Sequence, residues 1–314
     1  MDASVVIACR DGGRHLRETL EAVTAQRWDR PWEIVLADNG STDDSVAIFR
    51  EYAARAPSTP MKVVDASARP GKAATMNVGV AAASAPAIVV CDSDDVPAPG
   101  WLRAMGEALR DRDLVAARAE LGRLNHGPLG VYRSIPGDGV YRLPFPPYCE
   151  GMAGALMGFT KRLHAAVGGF NPDIPIEDDE FCIRAHLAGF RITRVPEAVV
   201  HYRLRQDLAA VFAQSRRYAE LDVALAKAYR HTGPGQVGSW GGLYRKARRT
   251  AGRYWRVRLR PHDIGEEARL QLELGSLAGQ VVGVVKYRAR PTVGRPPASG
   301  ISRDVGRESV GEPG

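Results

Sequence analysis

The sequence predicts an α/β fold with a mainly parallel central sheet flanked by helices, and three observations carry that expectation. Through the first hundred residues, short apolar runs alternate with stretches whose apolar residues recur at helical spacing. Some of the runs, such as Ala87-Ile88-Val89-Val90-Cys91, are apolar without interruption, the mark of a strand buried on both faces. Strands separated by helices require right-handed crossovers and therefore parallel neighbours.

Each element can be justified in order. Val5 to Cys9 is a strand, and after Gly12-Gly13 the residues Leu16, Leu20 and Val23 give a helix beside Arg17, Glu18 and Glu21. Glu33 to Ala37 is a second strand, ending in Asp38-Asn39-Gly40-Ser41-Thr42-Asp43-Asp44, and a helix through Val46, Ile48 and Phe49 follows. Met61 to Val64 is a short third strand. Gly71-Lys72 opens an alanine-rich helix to Ser84, Ala87 to Cys91 is the fourth strand, and Pro99 and Trp101 begin another helix. From Arg118 to Pro147 the pattern loosens into Gly- and Pro-rich sequence, and a loop of that length is functional or disordered. Regular structure resumes at Gly151. Glu177 begins a helix that ends at Ala188-Gly189, where glycine suits the C′ position, and a strand ends in Val199-Val200-His201-Tyr202. A helix covers Asp207 to Tyr229, and His231-Thr232-Gly233-Pro234-Gly235 is a linker. The expected division is a catalytic-sized domain at 1–230, a basic helical extension at 231–290 and a disordered tail at 291–314.

The composition, with 45% hydrophobic and 25% charged residues in 314, is that of a globular chain with a full core. No apolar run approaches the roughly 20 residues of a membrane span, and no signal-like segment opens the chain. A cytoplasmic location is therefore expected. Cys9, Cys91, Cys149 and Cys182 lack metal-ligand spacing and read as small buried hydrophobes in a reducing compartment. The formal charge of +7 is local: Arg245, Lys246, Arg248, Arg249, Arg253, Arg256, Arg258 and Arg260 fall in a segment without acids, and the rest of the chain is close to neutral.

Asp92-Ser93-Asp94-Asp95, directly after the fourth strand, is the most informative stretch. Unpaired buried charge is too costly for these carboxylates to be packing. Ligands bind outside the carboxyl ends of parallel strands, and close-set carboxylates there suit Mg²⁺ or Mn²⁺. An Asp-rich turn capping the next helix fits the same residues.

Other polar groups stand at strand ends: Arg10-Asp11, Asp38-Asn39 and Glu177-Asp178. In order, Val5-Val6-Ile7-Ala8-Cys9-Arg10, Leu36-Ala37-Asp38-Asn39-Gly40-Ser41-Thr42-Asp43-Asp44, Gly71-Lys72-Ala73-Ala74-Thr75-Met76-Asn77-Val78-Gly79 and Val90-Cys91-Asp92-Ser93-Asp94-Asp95 are followed by Val167-Gly168-Gly169-Phe170 and Glu177-Asp178-Asp179-Glu180-Phe181-Cys182-Ile183-Arg184. This series resembles the inverting family 2 glycosyltransferases, over residues 3 to 205. The resemblance implies the GT-A nucleotide-diphospho-sugar transferase fold and a UDP, dTDP or GDP-type sugar donor. It also implies a carbohydrate or lipid-linked acceptor and a Mg²⁺ or Mn²⁺ cofactor.

On that resemblance, Asp38 accepts hydrogen bonds from the nucleotide base or ribose, and the donor site also includes Ala8, Arg10, Lys72, Asp92 and Ser93. Asp94 reaches the metal, Asp92 the ribose or the metal shell, and His201 completes that shell or simply ends a strand. Asp95 is left as a cap for the next helix. Asp178 is the general base that takes the proton from the attacking hydroxyl, with Glu177, Asp179 and Glu180 as supporting or capping acids. Arg203 and Arg205 are candidates for the diphosphate or for surface charge. The chain departs from the family where the first strand ends in Ala8-Cys9-Arg10-Asp11 rather than Pro-Thr-Tyr-Asn, and where Leu156 stands in place of a common Asn.

Two other classes compete. A sugar nucleotidyltransferase would want a Gly-rich phosphate loop, which Arg10-Asp11-Gly12-Gly13-Arg14 only faintly suggests, and would not need the Glu177-Asp178 helix. A non-catalytic nucleotide-sugar-binding scaffold has no physical reason to keep Asp92, Asp94 and Asp178. Residues 243–260 interleave Tyr244, Tyr254 and Trp255 with arginines, which fits peripheral docking on an anionic membrane at its inner face, or a solvated helix. Nucleic acid is disfavoured because no binding motif accompanies the patch.

Overall fold

The computed structural model describes residues 1–56, 58–133, 136, 138–174, 176–233, 240–259 and 263–289. The expected tail at 291–314 and the last two residues of the expected linker, Pro234 and Gly235, lie outside the described residues.

In chain order the strands are β1 (Ala3–Cys9), β2 (Trp32–Asp38), β3 (Met61–Asp65), β4 (Ala87–Asp92), β5 (Val96–Pro97), β6 (Leu114–Glu120), β7 (Val140–Arg142), β8 (Glu150–Met152), β9 (Met157–Thr160) and β10 (Thr193–His201). Eight of them form one sheet in the order β3-β2-β1-β4-β9-β6-β10-β5, and β7 pairs with β8 alone. Neighbours among β1 to β4 are parallel, as are β6 and β10. β9 runs antiparallel between β4 and β6, and β5 antiparallel to β10.

The helices are α1 (Gly13–Thr24), α2 (Ser45–Arg55), α3 (Lys72–Ala82), α4 (Trp101–Ala108), α5 (Lys161–Ala166), α6 (Glu177–Leu187), α7 (Leu208–Ala228), α8 (Trp240–Arg258) and α9 (Ile264–Ala289). The apolar strands feed two cores, because successive side chains point to opposite faces. Val5, Ile7, Ile34, Leu36, Val89 and Cys91 pack with Leu16, Leu20, Phe49, Trp101 and Met105 from α1, α2 and α4. Val6, Val35, Ile88 and Val90 pack on the other face with Met76, Val80, Leu163 and Phe181 from α3, α5 and α6. All four cysteines are buried and free.

The expected elements through the first hundred residues all form. Five strands escape the sequence reading, of which β5 and β8 are only two and three residues long. β6 runs into the stretch that looked irregular and β7 lies inside it, while β9 is only four residues long with Gly158 in it. That glycine is imposed by packing: a Cβ there would stand 2.9 Å from Val115 and 3.0 Å from Met105. Because β9 is antiparallel, it starts at the same end of the sheet where β4 stops. This brings the 3₁₀ turn Gly154–Leu156 beside the Asp-rich loop.

The helical extension docks on α7. α9 and α7 run side by side in the same direction, joined by a glycine stripe at Gly275, Gly279 and Gly283. A Cβ on Gly279 would stand 2.0 Å from the carbonyl oxygen of Arg216, so the backbones touch only because that side chain is missing. Ser215 Oγ donates to the Leu272 carbonyl at 2.7 Å, and Lys286 pairs with Glu220 at 2.6 Å. Among the described residues, no helix is long and apolar enough to cross a membrane.

Gly→Ala inside an exposed helix gains up to about 1 kcal/mol of stability. Gly252→Ala on α8, where a Cβ meets nothing within 4 Å, is expected to raise Tm. Gly279→Ala is expected to lower it, since overpacking costs about 1–3 kcal/mol. Thermal unfolding of the two variants checks the opposite signs.

Candidate active site

β1 lies between β2 and β4, so the chain order reverses across β1, and ligands in such sheets bind in the crevice at the carboxyl ends beside that reversal. The register fixes what meets there. Cys9 is opposite Asp38 on one side, and Ala8 is opposite Asp92 on the other. The site residues expected from β1, β2 and β4 therefore share one edge of the sheet. Arg10 is exposed on its rim. Ser93 packs on the turn after β1, where a Cβ on Gly12 would come within 3.0 Å of its hydroxyl.

The loops after β1 and β2 lock together. Asp11 N–H donates to Ser41 Oγ (3.0 Å), Gly12 N–H to Ser45 Oγ (2.9 Å) and Gly13 N–H to Asp43 (2.8 Å). These are the amides a phosphate-binding loop would need, and side chains already occupy them. Asp38 accepts from Ser41 N–H at 3.2 and 3.3 Å, an Asx-type turn that leaves carboxylate lone pairs over. Asn39, to which the sequence reading gave no role of its own, is the hinge-pin of this corner. Its amide donates to the Ala66 and Arg69 carbonyls (2.5 and 2.9 Å), and its oxygen accepts from Gly71 N–H (3.2 Å). That grip sets where α3 starts, and so where Lys72 stands.

Carboxylate oxygens of Asp92, Asp94 and Asp95 lie within 4.8 Å of one another, close enough to share one cation. Burial first, and then the charge on Asp92, hold the Asp94 carboxyl above its usual range. Asp95 is held well above it by burial and by both neighbours. A hard oxygen donor set that repels itself fits Mg²⁺ or Mn²⁺. Asp95 does not cap the following helix. It is 2% exposed, and its oxygen accepts from Arg203 N–H at 2.7 Å, while Gly100 occupies the N-cap of α4. The segment after β10 thus closes on the acidic turn: Arg203 Nε donates to the Asp94 carbonyl at 2.8 Å, and Arg205 lies 3.7 Å from the Asp94 carboxylate.

Lys72 reaches both halves of the site. Its ammonium lies 2.8 Å from Asp92 and 3.5 Å from Glu177, at the start of α6. Burial opposes its charge, but Asp92, Glu177 and Asp178 outweigh burial and raise it well above the ordinary lysine range. Asp178 follows Glu177 and is fixed by two backbone amides, Gly154 N–H at 3.0 Å and Asp179 N–H at 2.9 Å. Burial, reinforced by the charge on Glu177, raises its carboxyl to about 6, against the pull of Lys72 and the two amides.

The other acids of α6 do structural work. Asp179 accepts from the Tyr141 hydroxyl at 2.8 Å. Glu180 is fully buried against Arg184, which also donates to the Val167 carbonyl, and the Tyr229 hydroxyl caps Glu180 at 2.7 Å. Sequence offered no sign of Gly154, Tyr141 or Tyr229, since each acts across a long chain separation. Leu156 is packed in the core beside Gly154. His201 does not join the carboxylate cluster. As the register partner of Glu120, it holds that carboxylate at 2.6 Å through Nδ1, and Arg123 stands 3.3 Å from Nε2.

Comparison with known proteins bears on this geometry. The profile described as "Glycosyl transferase family 2" matches residues 4–126, and that described as "Glycosyl transferase family group 2" matches residues 87–221. The uncharacterized glycosyltransferase YwdF of Bacillus subtilis is 29% identical over 209 residues, 64% of this chain and 74% of that protein. The uncharacterized glycosyltransferase alr2836 of Nostoc is 31% identical over 121 residues, 38% of this chain and 37% of that one. Among solved structures, the mannosyltransferase PcManGT from Pyrobaculum calidifontis, in complex with GDP-Man and Mn²⁺, superposes with a TM-score of 0.65 at 18% identity. That superposition covers 91% of this chain and 87% of that one, a likeness of fold that makes this sheet a GT-A sheet. With contiguous family matches over the part of the chain that builds the site, this protein belongs to the family 2 glycosyltransferases.

Proposed function

We propose that the chain transfers a sugar, with inversion, from a nucleotide-diphosphate donor to an acceptor hydroxyl on a carbohydrate or lipid-linked glycan, using Asp178 as general base. The observation that carries this reading is Asp178 itself: a carboxyl held by two backbone amides and raised to about 6, in the same site as the carboxylates at the end of β4. A base is most useful when its pKa lies near the working pH.

Asp38, at the end of β2, takes the nucleoside, with Ala8, Arg10 and Ser93 lining the crevice around it. Mg²⁺ or Mn²⁺ held by Asp94 with Asp92 and Asp95 would offset the charge that grows on the diphosphate as the nucleotide leaves. His201 is outside this set, because Glu120 and Arg123 already take its ring. Lys72 keeps Asp92 and Glu177 from repelling the donor, and its charge limits how far the Asp178 carboxyl rises. Asp178 accepts the acceptor's proton as the oxygen attacks the anomeric carbon opposite the diphosphate. A nucleotidyltransferase is disfavoured because the Asp11, Gly12 and Gly13 amides are engaged by Ser41, Ser45 and Asp43. The donor classes to be tried are UDP-, GDP- and dTDP-sugars.

Nucleotide release from these donors, assayed with Mn²⁺ and with chelator, tests the reading. Release with at least one donor, lost on chelation, is expected; none with any donor sinks it. Asp178→Asn is expected to lower turnover by about 10²–10⁴-fold with donor affinity nearly unchanged. Activity is expected to rise with pH through about 6, because the base works only when deprotonated. Glu177→Gln removes a like charge beside Asp178, so its rate profile should shift to lower pH. A profile that stays where it was assigns the acid limb to another group.

A further inference from the structure

α8 has two chemically distinct faces. Leu243, Lys246, Ala247, Thr250, Arg253 and Val257 are buried or half-buried on its inner face. Arg253 pairs with Glu266 and Glu273 of α9 at 3.0 and 2.9 Å, and Lys246 donates to Ser276 Oγ at 2.5 Å. Part of the basic charge noted in the sequence is thus used internally. Tyr254 is drawn into the same economy, with Arg258 stacked over its ring at 5.3 Å.

The outer face is different. Arg245, Arg248, Arg249 and Arg256 are exposed and have no acidic partner among the described residues. Tyr244, Trp255 and Leu259 are exposed beside them, by 69%, 62% and 80%. At the 100° per residue of an α-helix, these seven residues fall within an arc of roughly 140°. Tyr244, Trp255 and Leu259 lie toward one side of that arc, and Arg245, Arg249 and Arg256 toward the other. No acidic residue occurs anywhere on α8.

We propose that this face of α8 docks on an anionic lipid bilayer, with the arginines at the headgroups and Tyr244, Trp255 and Leu259 entering the interface. Large aromatic and aliphatic side chains on a basic helix lying in the membrane plane gain from both the apolar boundary and the anionic surface. A nucleic-acid groove would leave Leu259 without a partner. The surface is separate from the donor crevice, so lipid binding can be tested whether or not the proposed reaction holds.

The test is flotation of the full chain with phosphatidylcholine vesicles, with and without phosphatidylglycerol. Flotation only with the anionic vesicles, weakened by salt, is expected. Replacing Arg245, Arg248, Arg249 and Arg256 by Gln should weaken it on the order of a thousandfold. The pair Trp255→Ser and Leu259→Ser should weaken it even at low salt. Tm and donor turnover should stay unchanged in both variants, which separates lost docking from lost folding. Equal flotation with neutral and anionic vesicles, undiminished flotation of the arginine variant, or retention of an oligonucleotide without vesicle binding would each overturn the proposal.

Discussion

The contact of Lys72 with both Asp92 and Glu177 is the constraint on which the site depends. Asp92 ends a central strand, whereas Glu177 opens a helix that arrives some 85 residues later in the chain, and one ammonium spans them. Without it, the carboxylates at the end of β4 and those at the start of α6 would face each other across a poorly solvated crevice, where like charges repel strongly. The cost of that repulsion explains why so much of the structure is spent on placing Lys72. Asn39 ties the end of β2 to the segment that delivers it, and Gly71 starts α3 with φ of +117°, a conformation that suits glycine.

Asp178 is positioned by a second, independent set of parts. Its amide donors come from α6 itself and from Gly154, which stands at the site because β9 runs against the direction of β4. An all-parallel sheet would start that strand at the opposite end. Behind α6, the Glu180–Arg184 pair and Tyr229 anchor the helix to the end of α7, and α7 in turn carries α9 along its glycine stripe. The extension is therefore continuous with the packing that supports the base.

These parts were unevenly legible in the sequence. The strands with uninterrupted apolar runs, and the acids at their ends, could be read because both signals are local. Asp38, Asp92 and Lys72 then fell into one site once the strand order was known. β9 was hidden by its length and by Gly158, whose meaning lies in Val115 and Met105, residues distant in sequence. Asp95 looked like a helix cap since its partner, the Arg203 amide, is over a hundred residues away. His201 could serve a metal or a strand end on sequence alone, and only the β6–β10 register brings Glu120 to its ring.

The most direct measurement is the pH dependence of metal-supported nucleotide release in Lys72→Met, with water standing in for the acceptor. If Lys72 links the donor carboxylates to the base, removing its charge moves the acid limb of the profile to higher pH than in the wild type and weakens donor binding in the same protein. A limb that keeps its wild-type position while only donor affinity falls would contradict the account, because Lys72 would then serve the donor alone.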